Sequence, residues 1–304
     1  MKKNCDWLFI SVLLIFVFLA CASGPASVSE DELYSLGKSY YDIGKYSEAE
    51  VWFQKASKFK KTKHASLYYL GRIAFQKQNY KDAAKIFEEL LKTDTDNVVL
   101  LKAAAFSNLK AYLFEKAEIQ YMRLIKLVPG SKDSTYGYAL VLYGLKKYDE
   151  SYRVLKDAKA ESGDDRDALL LLARVERLLG FPEALDHYSK WLEKGDDPVV
   201  LKELAEVAEH QNLYSRAIEA YKTLKQTNRD ELAGLQKGEI DFLIGRLILI
   251  ADPVDNQGLK SIEVALSAGY SNNEAFDLLL ANSKLSETQR QSLIDLFSRK
   301  TETK

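Results

Sequence analysis

The sequence predicts an all-α solenoid built from helix–turn–helix units. The chain is self-similar at a period of about 34 residues from residue 30 onward. Small residues recur at two fixed places in each period, and an aromatic stands three residues before the second of them. Only 15 Gly and 5 Pro occur among 304 residues, too few for long irregular loops.

Composition bounds the class. With 47% hydrophobic and 29% charged residues, the chain can bury a core and is too apolar to be disordered. Its 43 Lys and Arg nearly balance its 44 Asp and Glu, so there is no general electrostatic reason to expect a nucleic-acid partner.

Residues 1–20 are expected to be an export signal rather than part of the fold. Lys2 and Lys3 form a basic start, and Trp7 to Ala20 is an apolar run broken only by Ser11. As a helix that run would be roughly 21 Å long, short of the ~30 Å hydrocarbon core that a permanent anchor must cross. Phe18-Leu19-Ala20-Cys21 resembles the lipobox of bacterial lipoproteins, with Phe18 where the common form has Leu. The resemblance implies cleavage before Cys21 and acylation (palmitate among the chains) of that cysteine. Two or three acyl chains anchor stably where one would bind only marginally. The other cysteine, Cys5, lies inside the signal, so the mature chain would have no free thiol and no disulfide. Ala22 stands where some bacteria place an Asp retention signal, which points to the periplasmic side of the outer membrane.

Residues 21–29 read as a tether, rich in Gly, Ser and Pro and without an apolar face. Ser29 is the expected N-cap of the first helix, and Glu30, Asp31 and Glu32 suit its dipole. Six units are expected over 30–231. The small residue of each first helix is Gly37, Gly71, Ala105, Ala139, Ala173 or Ala205. That of each second helix is Ala49, Ala83, Ala117, Ser151, Ala184 or Ala217. Four residues later stands Phe53, Phe87, Tyr121, Leu155, Tyr188 or Tyr221. The preceding aromatic is Tyr46, Tyr80, Phe114, Tyr148, Phe181 or Tyr214. Small residues let the two helices approach, and the large one fills the gap beside the crossing. Each pair buries one side only and needs its neighbour.

This pattern resembles the tetratricopeptide repeat family, whose unit is a helix–turn–helix of about 34 residues. The first unit matches best, through Leu36-Gly37, Tyr40, Ala49, Phe53 and Ala56. The family's Trp is replaced by Leu33, Leu67 and Leu101, and its terminal proline is clear only as Pro129. The resemblance implies a right-handed stack whose first helices line a concave groove.

Ser47, Asp149 and Ser215 are expected to cap second helices, and Pro182 to open the second helix of the fifth unit. That unit, residues 166–197, lacks one residue in its inner turn and one near its end. Residues 232–272 read as a degenerate seventh unit through Ile244-Gly245, Ile248, Gly258, Ile262 and Ala265, with one residue inserted at Asp252-Pro253. Its apolar run Phe242–Ala251 is too short to span a membrane and is expected to be buried. Residues 273–304 should close the stack, with a capping box at Ser286-Glu287-Thr288-Gln289.

No catalytic constellation is apparent. His64, His187 and His210 are far apart and lack metal-ligand spacing, and no phosphate-binding glycine motif occurs. No enzyme activity, cofactor or metal is expected. Carried over from the family, the groove positions are Tyr34, Lys38 and Tyr41; Tyr68, Arg72 and Phe75; Lys102, Phe106 and Lys110; Tyr136 and Tyr143; Arg174 and Arg177. Asp31, Asp42, Asp133 and Asp167 join them, and the sixth unit turns acidic with Lys202, Glu206, Glu209 and His210. Aromatics mixed with cations suit a protein or peptide segment bearing carboxylates. The family's clamp for chaperone tails does not fit, because Tyr34, Tyr69 and Val99 occupy three of its positions. The expected function is therefore a lipid-anchored interaction scaffold of the cell envelope, for assembly or as a transporter accessory, with a membrane-associated protein partner. The alternative is a binding protein for a small or hydrophobic ligand.

Overall fold

The structure, a computed structural model, describes residues 28–252 and 255–302. The signal segment, Cys21, most of the tether and the Pro253 end of the expected insertion lie outside the described residues. Within them the chain forms sixteen α-helices, two short 3-10 turns and no strand. It divides into two compact units after Pro129.

The first unit holds three helix pairs: α1 (Glu30–Asp42) with α2 (Tyr46–Ala56), α3 (Lys60–Gln76) with α4 (Tyr80–Leu91), and α5 (Val98–Lys110) with α6 (Phe114–Leu127). Each first helix packs on its own second helix, and α2 packs on α3 and α4 on α5. Ser29 caps α1 as expected, in a box closed by Glu32.

The inner turns share one geometry. Lys45, Asn79 and Leu113 each donate a backbone N–H to the carbonyl five residues back, at 2.8–2.9 Å. The residue before each, Gly44, Gln78 or Tyr112, is left-handed with φ of 58–77°. This is the Schellman turn that ends one helix and reverses the chain. It delivers the chain straight into the second helix, whose first residue is the recurring aromatic Tyr46, Tyr80 or Phe114. Ser47 is consequently the second residue of α2, and no side chain caps that helix. The same correction applies to Asp149 and Ser215 in the second unit.

The crossings follow the expected register. Ala49, Ala83 and Ala117 are fully buried, with Phe53, Phe87 and Tyr121 buried beside them. A Cβ on Gly37 would lie 2.8 Å from the Phe53 ring, and one on Gly71 would lie 2.8 Å from the Phe87 ring.

The second unit continues with α7 (Lys132–Gly144) and α8 (Tyr148–Asp157), α9 (Arg166–Leu179) and α10 (Ala184–Leu192), and α11 (Pro198–His210) and α12 (Tyr214–Gln226). At the crossing of α7 and α8 Ser151 replaces alanine, and its hydroxyl donates to the Ala139 carbonyl at 3.0 Å, so the buried oxygen is satisfied. The short inner turn of the fifth pair is visible. Gly180 directly precedes Phe181, whose N–H takes the Schellman bond to Glu176 at 2.9 Å. Helix α10 therefore begins only at Ala184, and Pro182 lies in the turn before it rather than in its first turn.

The seventh pair is α13 (Glu239–Ala251) and α14 (Gln257–Ser267). It makes a very close approach, since a Cβ on Gly245 would meet the Gly258 carbonyl oxygen at 2.7 Å. Phe242, Leu247 and Leu249 are buried, so the apolar run is core. Helices α15 (Asn273–Leu280) and α16 (Glu287–Glu302) cover it, joining Phe242, Ile262, Tyr270, Phe276, Leu279 and Leu293 in one cluster. The expected capping box forms, with Gln289 N–H on Ser286 Oγ at 3.2 Å and Ser286 N–H on Gln289 Oε1 at 3.0 Å.

Replacing Ala83 with Leu should overpack the α3–α4 crossing and cost about 1–3 kcal/mol, read as a lower denaturation midpoint. Gly245→Ala should cost a similar ~1–3 kcal/mol, because its new methyl faces a backbone oxygen that cannot rotate away. Unchanged thermal melts for either variant would contradict the register.

Candidate protein-interaction surface

In the first unit, helices α1, α3 and α5 bring the expected contact residues onto one aromatic and cationic face. Tyr69, named from the sequence only at a chaperone-clamp position and not among the expected groove residues, is its hub. It stacks on Phe53 at 4.8 Å between centroids and meets Tyr34, Tyr41 and Tyr68 edge-on. Tyr41 is largely buried in this cluster, so it is as much core as contact. Burial raises the phenol pKa of both Tyr34 and Tyr41. The Arg72 guanidinium lies 4.9 Å from the Tyr41 centroid, 5.7 Å from Tyr68 and 5.8 Å from Tyr69. Phe75 stacks on Phe106 at 5.3 Å, and Lys110 reaches the Phe106 ring at 5.4 Å. Phe106 remains 42% exposed, which leaves an open aromatic edge.

The cations of this face differ in what they meet. Lys38 pairs with Asp42 at 2.8 Å on its own helix. Arg72, Lys102 and Lys110 have no carboxylate partner among the described residues. The sequence is consistent with this: no Asp or Glu stands between Glu50 and Asp82, around Arg72, or between Asp96 and Glu115, around Lys102 and Lys110.

The second unit is arranged oppositely. Arg174 Nε contacts both carboxylate oxygens of Glu203, at 3.0 and 3.1 Å. Arg177 meets Glu206 at 3.3 Å, and Arg246 meets Glu209 at 2.7 Å. The acidic character of α11 is thus matched by cations on α9 and α13. Tyr143 packs against Tyr148 at 5.8 Å. Burial, aided by Asp167, pushes the Tyr136 phenol up to about 12. Arg177, Phe181, Glu206 and His210 line a cleft of ≈ 340 Å³ beside this ladder.

Two polar pairs sit inside helix crossings. Asn108 donates to Glu88 at 2.8 Å and to Gln120 at 2.9 Å. At the equivalent place in the fifth pair, His187 Nδ1 lies 2.6 Å from Glu176 Oε2, with Glu176 buried. His187 is therefore a partner in a helix crossing and not an ordinary surface histidine; His64 and His210 are exposed. Among the described residues no cluster of His, Cys, Asp or Glu could hold a metal, and no helix is long and apolar enough to cross a membrane. The sequence did carry a signal for the ion pairs. Opposite charges 27–29 residues apart recur as Glu50 with Lys77, Glu88 with Lys116, Asp96 with Arg123 and Arg174 with Glu203. That spacing bridges neighbouring pairs.

The buried tyrosines give the second unit a sign-defined pH response. Burial raises the phenol pKa of Tyr188, with Glu203 adding to it, and of Tyr221, with Glu209 adding. A phenol that holds its proton more tightly when folded contributes stability present below pH ~10 and lost as pH rises beyond it, at about 1.4 kcal/mol per pH unit per group. Tyr188→Phe should leave stability near pH 7 little changed, since Phe53 and Phe87 fill the equivalent place elsewhere, and should flatten the loss between about pH 10 and 12 in denaturant melts.

Known proteins place this geometry. The tetratricopeptide repeat profile matches residues 34–98. A tetratricopeptide repeat protein from Parabacteroides merdae superposes with a TM-score of 0.56 at 19% identity, over 82% of this chain and 97% of that one. Pseudomonas aeruginosa pilF does so with a TM-score of 0.51 at 19% identity, over 75% of this chain and 97% of that one. In sequence, a protein named as an uncharacterized lipoprotein of Treponema pallidum is 24% identical over 176 residues, 58% of this chain and 89% of its own. The human N-alpha-acetyltransferase 16, NatA auxiliary subunit, is 23% identical over 255 residues, which is 79% of this chain but 29% of that protein. The chain is thus an all-α protein that resembles the tetratricopeptide repeat family, by sequence over residues 34–98 and by fold over most of its length, and this fold is one that serves as a protein-interaction scaffold.

Proposed function

We propose that the protein is a non-enzymatic scaffold, anchored through a lipidated Cys21 on the periplasmic side of a bacterial membrane, that holds a carboxylate-bearing segment of a membrane-associated protein on the α1–α3–α5 face. One observation carries the choice of face and of ligand. Arg72 lies among the Tyr41, Tyr68 and Tyr69 rings and Lys110 beside the exposed Phe106 ring, and neither these two nor Lys102 has a carboxylate partner among the described residues, whereas Arg174, Arg177 and Arg246 each already face a glutamate. An arginine held by aromatic rings is pre-oriented for a carboxylate, and such a pair at a partly desolvated site is stronger than a surface ion pair. The lipobox-like Phe18–Cys21 and the Treponema pallidum lipoprotein relative support the anchor and an envelope role in assembly or transport. The second unit has the charges of its α9–α11–α13 ladder matched and is read as the structural half. The apolar run of α13 is consumed by packing, which removes the motive for placing a hydrophobic ligand there.

The test begins with crosslinking in intact cells and mass spectrometry of the captured partner, followed by binding of the crosslinked peptide. Arg72→Glu with Lys102→Glu should weaken binding on the order of tenfold or more, and Arg174→Glu should not. Equal affinity of wild type and the double variant would remove the assignment. An intact mass beginning at Met1 without acyl chains would remove the anchor.

A further inference from the structure

The loop between α2 and α3 breaks a local rule that the other first helices of the six pairs obey. Helices α1, α5, α7, α9 and α11 begin at Ser29, Asn97, Ser131, Asp165 and Asp197, whose side chains accept from the first turn. Helix α3 begins at Phe59, with no side-chain cap and no acidic residue in its first turn. Lysines stand there instead, at the positive end of the helix dipole, where cations are unfavourable. Five lysines, Lys55, Lys58, Lys60, Lys61 and Lys63, fall within nine residues, all exposed, and Phe59 among them is 42% exposed. The cost is not offset by pairing. Lys61 reaches Asp31 at 2.5 Å, while Lys58, Lys60 and Lys63 have no carboxylate partner among the described residues. Yet the loop is firmly built: Thr62 is buried and its hydroxyl donates to the Ala56 carbonyl at 2.6 Å.

Position adds a second argument. The Lys61–Asp31 contact puts this loop beside the first turn of α1, where the chain arrives from Cys21. The stretch from Cys21 to Ser29 can reach at most ~27 Å even if fully extended. The next loop on that side of the unit, Lys92 to Asn97, carries Asp94 and Asp96 instead, so the basic patch is confined to the end nearest the anchor.

We propose that the α2–α3 loop rests on anionic phospholipid headgroups of the membrane that holds the Cys21 anchor, as a second, electrostatic membrane signal. The proposal builds on the lipid-anchor reading. Lysines collect the headgroup phosphates, the uncapped N–H groups of α3 add to the field, and the exposed Phe59 ring suits the interfacial layer. Each lysine near an anionic surface strengthens association about fivefold.

The test uses the full chain, mixed with vesicles of phosphatidylcholine alone or containing roughly 30% phosphatidylglycerol. Flotation reports attachment, and amine-reactive labelling read by mass spectrometry reports lysine exposure. The expected result is attachment to both vesicle types. Labelling of Lys58, Lys60 and Lys63 should fall several-fold only on the anionic vesicles and return in ~0.5 M salt. Lys225, in the second unit, serves as the control. Equal labelling of the three lysines on both vesicle types overturns the loop proposal while leaving the anchor intact. Failure to float with phosphatidylcholine alone marks failure of the anchor. In that case flotation with anionic vesicles, weakened on the order of a hundredfold by Lys58→Glu with Lys60→Glu and Lys63→Glu, still supports the loop. No flotation with either type overturns both.

Discussion

Everything in this protein depends on one contact, the crossing of two helices over a residue without bulk. At Ala49, Ala83, Ala117, Ser151, Ala184 and Ala217 the second helix lies so close to the first that no side chain larger than serine is buried there. The ring or branched chain one turn later closes the remaining gap. This contact fixes the angle of each pair, and the pair then presents an apolar side that only another pair can cover. Where the large residue is phenylalanine in the first two pairs, the facing position is glycine, because a Cβ would enter the ring. In the later pairs alanine faces tyrosine or leucine, a different division of nearly the same space.

The turn that joins the two helices is as constrained as the crossing. A Schellman bond and a left-handed residue reverse the chain in the fewest residues, and the aromatic that follows starts the second helix. Four of these left-handed positions, at Gln78, Tyr112, Lys146 and Asn212, are not glycine. Each carries an unfavourable backbone that the surrounding pair must hold in place. The fifth pair omits a residue from the turn, and the consequence is local: the same carbonyl is satisfied, and the second helix begins later.

Charge distinguishes the two units more sharply than packing does. Their crossings follow one plan, but in the first unit Arg72 and Lys110 lie against rings without a carboxylate partner among the described residues, while Arg174, Arg177 and Arg246 of the second unit form a ladder with glutamates on α11. A matched ladder spends its electrostatics internally. Unmatched arginine over aromatic rings leaves both a charge and an apolar edge available to a partner, and the acid-free stretch from Val51 to Lys81 supplies both that face and the basic loop beside it.

The sequence alone predicts the helix–turn–helix plan, the small and large positions of all six crossings, the buried character of the α13 run and the closing capping box. These are legible because they are periodic, and period is a property of the chain alone. It did not determine the start of the second helices, where Ser47 looked like a cap, because a turn bond five residues long decides which residue is first. It did not mark Tyr69, one place away from Tyr68, as the hub of the aromatic face, because which of two adjacent rings faces the next pair depends on how the helices rotate when they pack. Nor did it show that Arg174 and Arg177 already have partners while Arg72 has none. Arg72 and Arg174 are cations at equivalent places in the repeat, and it is the folded chain, by setting which carboxylates come within ion-pairing distance, that separates a charge that is used from one that remains open.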